Sequence, residues 1–564
     1  MFHDARALPD NARLTADVCI VGSGPAGLTL CRELSSAGSR ILLVESGGMD
    51  YDPERQSLLR GEDTTGEYFP PVDSRRSQFG GTMTIWSAVL TDMSLGVRLV
   101  PLDAIDFERR DWVPYSGWPF ARTDLDPYYK RAEELWGLSP NAYDGAAWES
   151  AHNRCLPLPT NEVITRVYKI QPFNPFLTVT RELISAQRSI DCLLRATVTE
   201  LVPAQGSDRI EYLRVVTSNR KQAQIRARIF VLAAGGIENA RLLLLSNSVF
   251  SAGIGNSRDL VGRFFMDHPL YYFCQWIPSS PALFRLLGLY DVQTVRRQCV
   301  LGRLTLPEAV LRENRLLNLS GVLWPKPKGY RSKGIEALRE MRVLAREKQF
   351  GRSLALAPHA CAACGDILSY AWRQFSTPTQ TSLSFFWSML SNMERRFGSV
   401  EPEFSLEQAP DPSNRVSLST QLDDNGWPKT LVTWRMGQQT RDSAKLAGVL
   451  LNQAFARAGL GRVVPLRHPR PSPTQHHHIG TTRMHKSPAA GVVDVNCRVH
   501  ETSNLFVSGS SVFCTGGYAN PTLTITALAI RLAEHLKKQL EPLTIGRRDH
   551  ETARQRDHGT ISGD

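Results

Sequence analysis

The sequence predicts an α/β protein whose first domain is built on a largely parallel sheet. Three observations support this fold class. Residues 16–21 (ADVCIV) form a short apolar run that leads directly into a glycine-rich turn, the following residues repeat apolar side chains at helical spacing, and residues 40–44 form a second apolar run. Short continuous apolar runs are typical of parallel strands that are covered on both faces.

Length and composition limit the possible organisation of the chain. It has 564 residues, of which 42% are hydrophobic and 21% are charged, so most of it should fold, and it needs two or three domains. The net charge of +11 is spread along the chain rather than gathered in one run. Such a charge is weak support for nucleic-acid binding, and we predict no nucleic-acid partner.

Cysteine usage and the absence of long apolar runs predict a cytoplasmic protein. The ten cysteines are irregularly spaced, and several lie in apolar runs where they fit small buried residues better than a disulfide framework. The first residues contain no apolar signal segment, and no apolar run approaches the roughly 18 residues that span a membrane. His359, Cys361 and Cys364 have no second Cys/His pair nearby, so we predict no metal site.

The glycine-rich turn after the first strand predicts a dinucleotide site. Gly22 permits a tight turn, Gly24 lets the backbone approach a pyrophosphate, and Gly27 allows the helix to pack closely on the strand. The N-terminus of that helix offers free N–H groups and a positive dipole end to phosphates. Glu45 follows Gly27 by 18 residues, where a carboxylate can accept hydrogen bonds from ribose hydroxyls. We therefore expect NAD or the ADP half of FAD.

A later strand-to-helix turn is, by itself, weak evidence for a nucleotide-binding sheet. Residues 228–233 (RIFVLA) run into Gly235 and Gly236 and then into a helical segment. Such a turn is common where a chain returns to a nucleotide-binding sheet, and simple turn chemistry explains it equally well. No second GxGxxG stands between a strand and a helix, so nothing indicates a reductase that carries both FAD and a nicotinamide.

Three further segments carry a family resemblance. They are residues 79–87 (FGGTMTIWS), 261–269 (VGRFFMDHP) and 476–484 (HHHIGTTRM), and the last is followed by ordered motifs through residue 524. With the first glycine turn, they make the chain resemble the glucose–methanol–choline (GMC) oxidoreductases, in the branch of the pyranose oxidases and bacterial sugar dehydrogenases. The matching segments run from about residue 14 to about residue 540, and the middle third matches only loosely.

The resemblance implies a domain organisation. A Rossmann-like FAD-binding domain would consist of residues 1–275 and 470–545, and an α+β substrate-binding domain on an antiparallel sheet would occupy residues 276–469. Strand-like segments such as residues 296–306 and 429–436 agree with that sheet. The polar residues 546–564 are expected to form a disordered tail.

The resemblance also assigns the cofactor residues. Those expected to hold FAD are Gly22, Gly24, Gly27 and Glu45 at the ADP half, Val198 at the adenine, Gly80, Gly81 and Thr82 along the pyrophosphate and ring, Ser87 near the flavin N5 edge, and Gly509, Ser510, Pro521 and Thr522 at the ribityl chain and the pyrimidine end. Some relatives bind FAD covalently through a histidine. This chain has Ile85 at that position, so we expect non-covalent FAD.

The same resemblance places the catalytic residues. His477 occupies the position of the family's catalytic histidine, and Asn520 occupies the position of its partner. Oxidation of an alcohol removes a proton from oxygen and a hydride from carbon, and a histidine suits the first task because its ordinary pKa lies near 6.5. Asn520 can donate and accept hydrogen bonds, so it can hold the same hydroxyl. His268 is expected to be a packing or turn residue.

The predicted reaction is the oxidation of a CH-OH group of a sugar, or of a glycosylated small molecule, to a carbonyl. We expect Glu407 and Gln408 at a polar edge of the substrate-binding domain, where they could hold hydroxyls. Tryptophans at 276, 324, 387 and 434 could stack on sugar faces or fill the core. A sterol or long-chain alcohol substrate, a lyase reaction and a flavin-binding protein without turnover remain alternatives. The electron acceptor could be oxygen, a quinone or a redox protein.

Residues 331–352 form a basic amphipathic pattern around Ile335, Leu338 and Leu344. The usual meaning of such a pattern is a helix with a solvated face, and contact with a membrane surface is the less favoured interpretation.

Overall fold

The computed structural model of the protein describes residues 1–140, 142–150, 153–346, 348–375, 386–472 and 475–556. Its strands are β1 (Phe2–Asp4), β2 (Ala12–Val21), β3 (Ile41–Val44), β4 (Gly61–Asp63), β5 (Ala88–Val89), β6 (Leu95–Leu99), β7 (Ile164–Pro172), β8 (Ile190–Leu194), β9 (Ala196–Pro203), β10 (Ile210–Thr217), β11 (Gln222–Leu232), β12 (Leu270–Pro278), β13 (Val292–Val295), β14 (Gln298–Thr305), β15 (Leu319–Pro327), β16 (Phe397–Leu406), β17 (Arg415–Leu422), β18 (Pro428–Thr433), β19 (Gly461–Ser472) and β20 (Leu505–Val507). Its helices are α1 (Pro25–Leu34), α2 (Pro53–Ser57), α3 (Ala104–Phe107), α4 (Asp126–Leu135), α5 (Asn174–Ala186), α6 (Gly235–Leu245), α7 (Glu308–Glu313), α8 (Lys333–Arg346), α9 (Phe350–Ala355), α10 (Ala357–Ala362), α11 (Cys364–Phe375), α12 (Met393–Arg396), α13 (Gln438–Arg457) and α14 (Thr522–Arg556).

The first sheet contains the strands of the predicted nucleotide site. Its order is β1-β8-β3-β2-β11-β10-β9, and β20 pairs with β11. The pairs from β1 to β11 are parallel, as is the pair of β11 and β20, whereas β10 runs antiparallel to β11 and β9. The predicted α/β class with a largely parallel sheet is therefore confirmed.

The segment β2-α1-β3 forms a crossover between two adjacent parallel strands. Pro25 occupies the first turn of α1, where its missing N–H is not needed. The helix buries Leu28, Leu30 and Leu34, and it packs against α14. Burying a side chain of this size stabilises the fold by about 1.5–3 kcal/mol, so the apolar repeat read from the sequence fixes which face of α1 turns inward.

The second sheet is antiparallel. Its order is β19-β12-β16-β15-β14-β7-β6-β5, and β13 pairs with β14. A separate small sheet joins β17, β18 and β4. The expectation of an antiparallel sheet beside the nucleotide-binding sheet is thus met by the strand pairing.

The chain passes between the two large sheets more than once. Strands β5, β6 and β7, at residues 88–172, belong to the antiparallel sheet although the sequence analysis placed residues 1–275 in the FAD-binding domain. Strand pairing joins segments far apart in sequence, which an apolar pattern does not reveal. The division at residues 275 and 470 stays a prediction.

The basic segment at residues 331–352 is not one helix. It contains α8, which buries Ile335 and Ala337, and α9 begins at Phe350. Lys348 has a φ of 60°, and this left-handed conformation stops an α-helix. The amphipathic pattern therefore predicted the buried face of α8 correctly but not where the helix ends.

The last helix, α14, runs through Arg556. The tail predicted to be disordered, residues 546–564, therefore begins as a continuation of this helix, and residues 557–564 lie outside the described residues. Among the described residues, no helix is both long and apolar enough to cross a membrane.

Candidate active site

A cavity of about 560 Å³ lies between the two large sheets. One wall is formed by the ends of β2 and β3 with the start of α1, and the opposite wall includes β6 and residues from β12 and β16. The segments around residues 475–478, 509–510 and 520–525 close it. The cavity therefore draws on both sheets and on the carboxy-terminal part of the chain.

Most of the residues predicted to bind the cofactor line this cavity. They are Gly22, Gly24, Glu45, Gly81, Thr82, Ser87, Val198, Gly509, Ser510, Pro521 and Thr522. Gly27 and Gly80 are not among the described lining residues, and each has a structural role instead. A Cβ on Gly27 would lie 2.0 Å from the Gly22 carbonyl oxygen, and Gly80 has a left-handed φ of 93°.

The first residues of three helices line the cavity. Pro25 and Ala26 of α1, Gly235 and Gly236 of α6, and Thr522 of α14 all lie on its wall. The positive ends of helix dipoles favour phosphate and other anionic groups. Gly24 precedes α1, and a Cβ built on it would meet no heavy atom within 4 Å, so its backbone faces open space.

Glu45 lies at the end of β3 with a buried carboxylate. Its two oxygens accept hydrogen bonds from the Ser23 N–H at 3.1 Å, the Ser23 hydroxyl at 2.6 Å and the Gly47 N–H at 2.8 Å. Burial raises the pKa of Glu45, while these donors act in the opposite direction. A carboxylate oxygen accepts more than one hydrogen bond, so Glu45 keeps acceptor capacity for ribose hydroxyls.

Unpaired polar atoms in the cavity wall fit the presence of a bound group. Among the described atoms, Asn520 Oδ1 and His478 Nε2 are buried and have no hydrogen-bond partner, and both residues line the cavity. Gly509, with a φ of 124°, lines the same cavity, and a Cβ built on it would meet no heavy atom within 4 Å. Unpaired buried polar atoms are costly, which indicates that a bound group supplies their partners.

His477 and Asn520 meet at one end of the cavity. The Asn520 Nδ2 atom lies 3.1 Å from His477 Nε2, although 43 residues separate them. Asn520 stands just before α14, and His477 lies in a segment that pairs with residue 266 through the bridge of Met266 and Ile479. Burial, followed by the positive charges of neighbouring groups, lowers the pKa of His477 well below its ordinary value of 6.5.

The other side of the His477 ring contacts His268, which the sequence analysis treated as a packing residue. The two Nδ1 atoms are 2.8 Å apart, and His268 Nε2 lies 3.2 Å from the Gly516 carbonyl oxygen. The adjacent Asp267 carboxylate accepts the backbone N–H groups of both histidines, at 2.7 and 2.9 Å. The only sequence signal for this contact was the MDHP segment that carried the resemblance.

The lining of the cavity also contains polar side chains and one tryptophan. Arg98 on β6, Glu403 on β16 and Gln475 line it together with Trp86. Sequence reasoning missed these residues because they lie on separate segments whose proximity depends on strand pairing. The pattern gave no signal that could have found Arg98 or Glu403.

Glu407 and Gln408 do not lie on a polar edge, so that prediction is wrong. Both are buried: Glu407 forms a two-point ion pair with Arg110 (Nη1 to Oε2, 2.9 Å), and Gln408 Oε1 accepts from the Asp267 N–H at 3.0 Å and Trp434 Nε1 at 2.9 Å. A buried charge requires a partner, and the structure supplies one from residue 110 rather than from a substrate.

The four tryptophans that could stack on sugar faces or fill the core lie outside the described cavity lining. Trp276, Trp387 and Trp434 are buried, and Trp324 is half-buried on β15. Trp276 donates to the Leu460 carbonyl oxygen at 2.9 Å. The described lining of the cavity includes none of the four, and the tryptophan that it contains is Trp86.

Comparison with known proteins agrees with this geometry. Residues 15–61 match a family model described as FAD binding domain, and residues 410–529 match one described as GMC oxidoreductase. The chain is 24% identical to 6'''-hydroxyparomomycin C oxidase of Streptomyces lividus, over 94% of this chain and 93% of that protein. It is 25% identical to the fructose dehydrogenase large subunit of Gluconobacter japonicus, over 71% of this chain and 61% of that subunit.

Among solved structures, a formate oxidase of Aspergillus oryzae superposes with a TM-score of 0.50 at 16% identity, and the alignment covers 94% of this chain and 99% of that one. This likeness concerns the fold. Fold, cavity and family matches together define an FAD-dependent oxidoreductase that acts on CH-OH groups. The resemblance to the GMC oxidoreductases seen in the motifs of the chain is confirmed.

Gly24→Ala tests where the dinucleotide binds. The new methyl group meets no protein atom within 4 Å, so we expect an intact fold. FAD affinity should fall by about tenfold or more, because the methyl group crowds the bound pyrophosphate. Fluorescence titration of the apoprotein with FAD measures this. Gly437→Ala is the matched control, since its Cβ also meets no atom within 4 Å but lies outside the cavity lining. Equal FAD affinity in both variants would contradict the assignment.

Glu407→Ala tests the structural role of the buried ion pair. Removing the carboxylate leaves the Arg110 guanidinium buried, which should lower the free energy of unfolding by about 3–5 kcal/mol. Urea denaturation followed by tryptophan fluorescence measures the change, with the substrate KM expected to stay unchanged. Glu108→Ala, which removes an exposed ion pair with Arg312, should cost less than about 1 kcal/mol. Unchanged stability with a raised KM would instead restore a substrate-binding role.

Proposed function

We propose that the enzyme oxidises a CH-OH group of a sugar or of a glycosylated small molecule to a carbonyl, with His477 as the general base and Asn520 as its partner. The observation that carries this proposal is the 3.1 Å contact between Asn520 Nδ2 and His477 Nε2 at the cavity wall, beside the unpartnered Asn520 Oδ1. This pair offers one acceptor for a hydroxyl proton and one group to orient the hydroxyl.

His477 takes the hydroxyl proton in this proposal. Its Nε2 faces the cavity, and its lowered pKa keeps the imidazole neutral, and therefore basic, around neutral pH. The O–H bond of the substrate breaks and an Nε2–H bond forms, which leaves positive charge on His477 next to the developing carbonyl. General-base assistance of this kind is worth about 10²–10⁴-fold in rate.

Asn520 orients the reacting hydroxyl in this proposal. Its Oδ1 has no partner among the described atoms, and its Nδ2 now donates to the nitrogen that must receive the proton. An entering hydroxyl would replace the Asn520 N–H as the donor to His477 Nε2, and the released Nδ2–H could then donate to the hydroxyl oxygen. Fixing the donor and the base before reaction removes an orientational cost from the barrier.

FAD, when bound, supplies a hydride acceptor at N5. We assign the ADP half to Gly22, Gly24, Glu45 and Val198, which line one end of the cavity. We assign the ring to the part lined by Gly81, Thr82, Ser87, Ser510, Pro521 and Thr522, next to His477 and Asn520. Non-covalent attachment remains our expectation, because Ile85 at the cavity wall has no nucleophilic atom.

The sugar class rests on the wall and on the relatives. Arg98, Glu403 and Gln475 offer charged and amide groups to hydroxyls, and Trp86 offers a flat apolar surface. Relatives named for paromomycin and fructose chemistry act on hydroxyl-rich molecules. A panel of sugars, glycosides, sterols and long-chain alcohols, added anaerobically to the enzyme, separates this class from the alternative alcohols, and a lyase would leave the flavin oxidised throughout.

The electron acceptor and location remain predictions. Oxygen, a quinone and a redox protein are all compatible with the cavity. All ten cysteines are unpaired, which supports the predicted cytoplasmic location. We expect no nucleic-acid partner and treat peripheral contact with a membrane as the less favoured interpretation of the basic helices.

His477→Ala tests the base assignment. The substitution should leave a yellow, FAD-bound protein, because the adenine and ribose contacts lie elsewhere on the cavity wall. The rate of anaerobic flavin bleaching by substrate should fall by about 10²–10⁴-fold. Stopped-flow absorbance measures it, with His535→Ala on α14, outside the cavity lining, as the control. Bleaching at the wild-type rate would rule out His477 as the base.

The rate of flavin reduction should fall at low pH, where His477 becomes protonated. Because the pKa of His477 lies well below 6.5, the base is neutral at higher pH and is lost only when the pH falls through that lowered value. Reduction at saturating substrate should be constant from about pH 8 down to about pH 6.5 and decline below it. A half-maximal rate above pH 6.5 would show that burial does not control this group.

A further inference from the structure

We propose that His268 is a positioning residue that holds His477 in the tautomer with an unprotonated Nε2, the form needed by a general base. This inference rests on the proposed function, since it concerns the group assigned there as base. It starts from a continuous contact chain: Asn520 Nδ2 to His477 Nε2 at 3.1 Å, His477 Nδ1 to His268 Nδ1 at 2.8 Å, and His268 Nε2 to the Gly516 carbonyl at 3.2 Å.

The contact with the Gly516 carbonyl, at the end of this series, fixes the direction of every hydrogen bond in the series. A backbone carbonyl only accepts, so His268 Nε2 must carry the proton. A neutral imidazole has a single N–H, which leaves His268 Nδ1 as an acceptor. His477 Nδ1 must then be the donor across the 2.8 Å contact, and His477 Nε2 carries no proton and can only accept. The Asn520 amide N–H, which only donates, agrees with this assignment.

The neutral state that this argument requires fits the surroundings. Both rings are buried, and burial lowers the pKa of each histidine. The ionisable groups that act on the pair are Asp267 and Glu407 at His268, and His476, His478 and Arg98 at His477. The carboxylates raise the pKa of His268 without offsetting burial, whereas Arg98 and the neighbouring histidines lower the pKa of His477 further.

Backbone hydrogen bonds fix the positions of His268 and His477 relative to each other. Asp267 Oδ1 accepts the N–H groups of His268 and His477, and its Oδ2 accepts the Tyr68 hydroxyl at 2.8 Å. Met266 and Ile479 exchange two backbone hydrogen bonds directly beside them. At the far end, a Cβ on Gly516 would lie 3.0 Å from His268 Nε2, so the ring is packed tightly against that carbonyl segment. The contact is therefore preorganised.

Loss of the acceptor would change which nitrogen carries the proton. Without His268 Nδ1, a His477 Nδ1–H would be buried and unpaired, which costs enough to favour the tautomer with the proton on Nε2. In that form His477 cannot take a proton from the substrate. When His477 does become an imidazolium, the same acceptor stabilises its Nδ1–H, so removing the acceptor should also make His477 harder to protonate.

The test compares His268→Leu with His268→Asn in the FAD-bound enzyme. Leu removes the acceptor, whereas Asn places an amide oxygen near the position of Nδ1 and can rescue it. We expect flavin reduction to slow by about 10- to 100-fold in His268→Leu and to recover most of that loss in His268→Asn. The acid limb of the pH profile should move to lower pH in Leu and stay near the wild-type position in Asn.

A spectroscopic measurement reads the tautomer without turnover. Nitrogen-15 NMR of ring-labelled histidine, with the His477 signals assigned by difference from His477→Ala, should show a protonated Nδ1 and an unprotonated Nε2 in the wild type. His268→Leu should reverse this pattern, and His268→Asn should preserve it. His535→Leu is the matched control, because it makes the same change outside the cavity lining, and it should alter neither rates nor the His477 signals.

The outcomes separate this inference from the proposed function. If His477→Ala reduces its flavin at the normal rate, the base assignment fails. If His477→Ala is inactive but His268→Leu keeps the wild-type rate, pH limb and NMR signals, only the role of His268 is wrong. Equal slowing of the Leu and Asn variants with an unmoved pH limb would reduce His268 to a packing residue. In the His477→Ala background, His268→Leu should cause no further loss of rate.

Discussion

The buried carboxylate of Asp267 is the constraint on which the arrangement of the site depends. It joins a segment before β12 to a segment after β19, and it accepts backbone N–H groups from both histidine-bearing segments. A third bond from the Tyr68 hydroxyl leaves its oxygens well supplied with donors. Burying a carboxylate costs free energy unless it accepts hydrogen bonds. Because the donors to Asp267 come from both segments, its burial requires the two segments to stay together.

Burial then gives the site its chemistry. The same packing that removes water from His477 disfavours its charged form and leaves a neutral ring at the cavity wall. Gln408 extends the support, because its amide oxygen accepts from both the Asp267 N–H and Trp434. Gln408, which was expected to touch the substrate, instead supports the segment that carries Asp267 and His268.

The two large sheets contribute different residues to the cavity. The parallel sheet ends at the glycine turn and Glu45, where helix N-termini and backbone N–H groups favour an anionic dinucleotide. The antiparallel sheet contributes Arg98 and Glu403 from β6 and β16. His477 and Asn520 line the same cavity as these residues from both sheets.

The sequence alone determined the glycine turn, the acidic residue after it and the class of fold, because each of these depends on backbone geometry within about thirty residues. Motif resemblance also brought His477 and Asn520 together as a pair. Tertiary structure alone decided that Glu407 is paired with Arg110, that His268 contacts His477, and that Arg98 and Glu403 line the cavity. Those proximities arise from strand pairing and ion pairing between segments up to several hundred residues apart, and no local pattern records which distant side chains a buried group will meet.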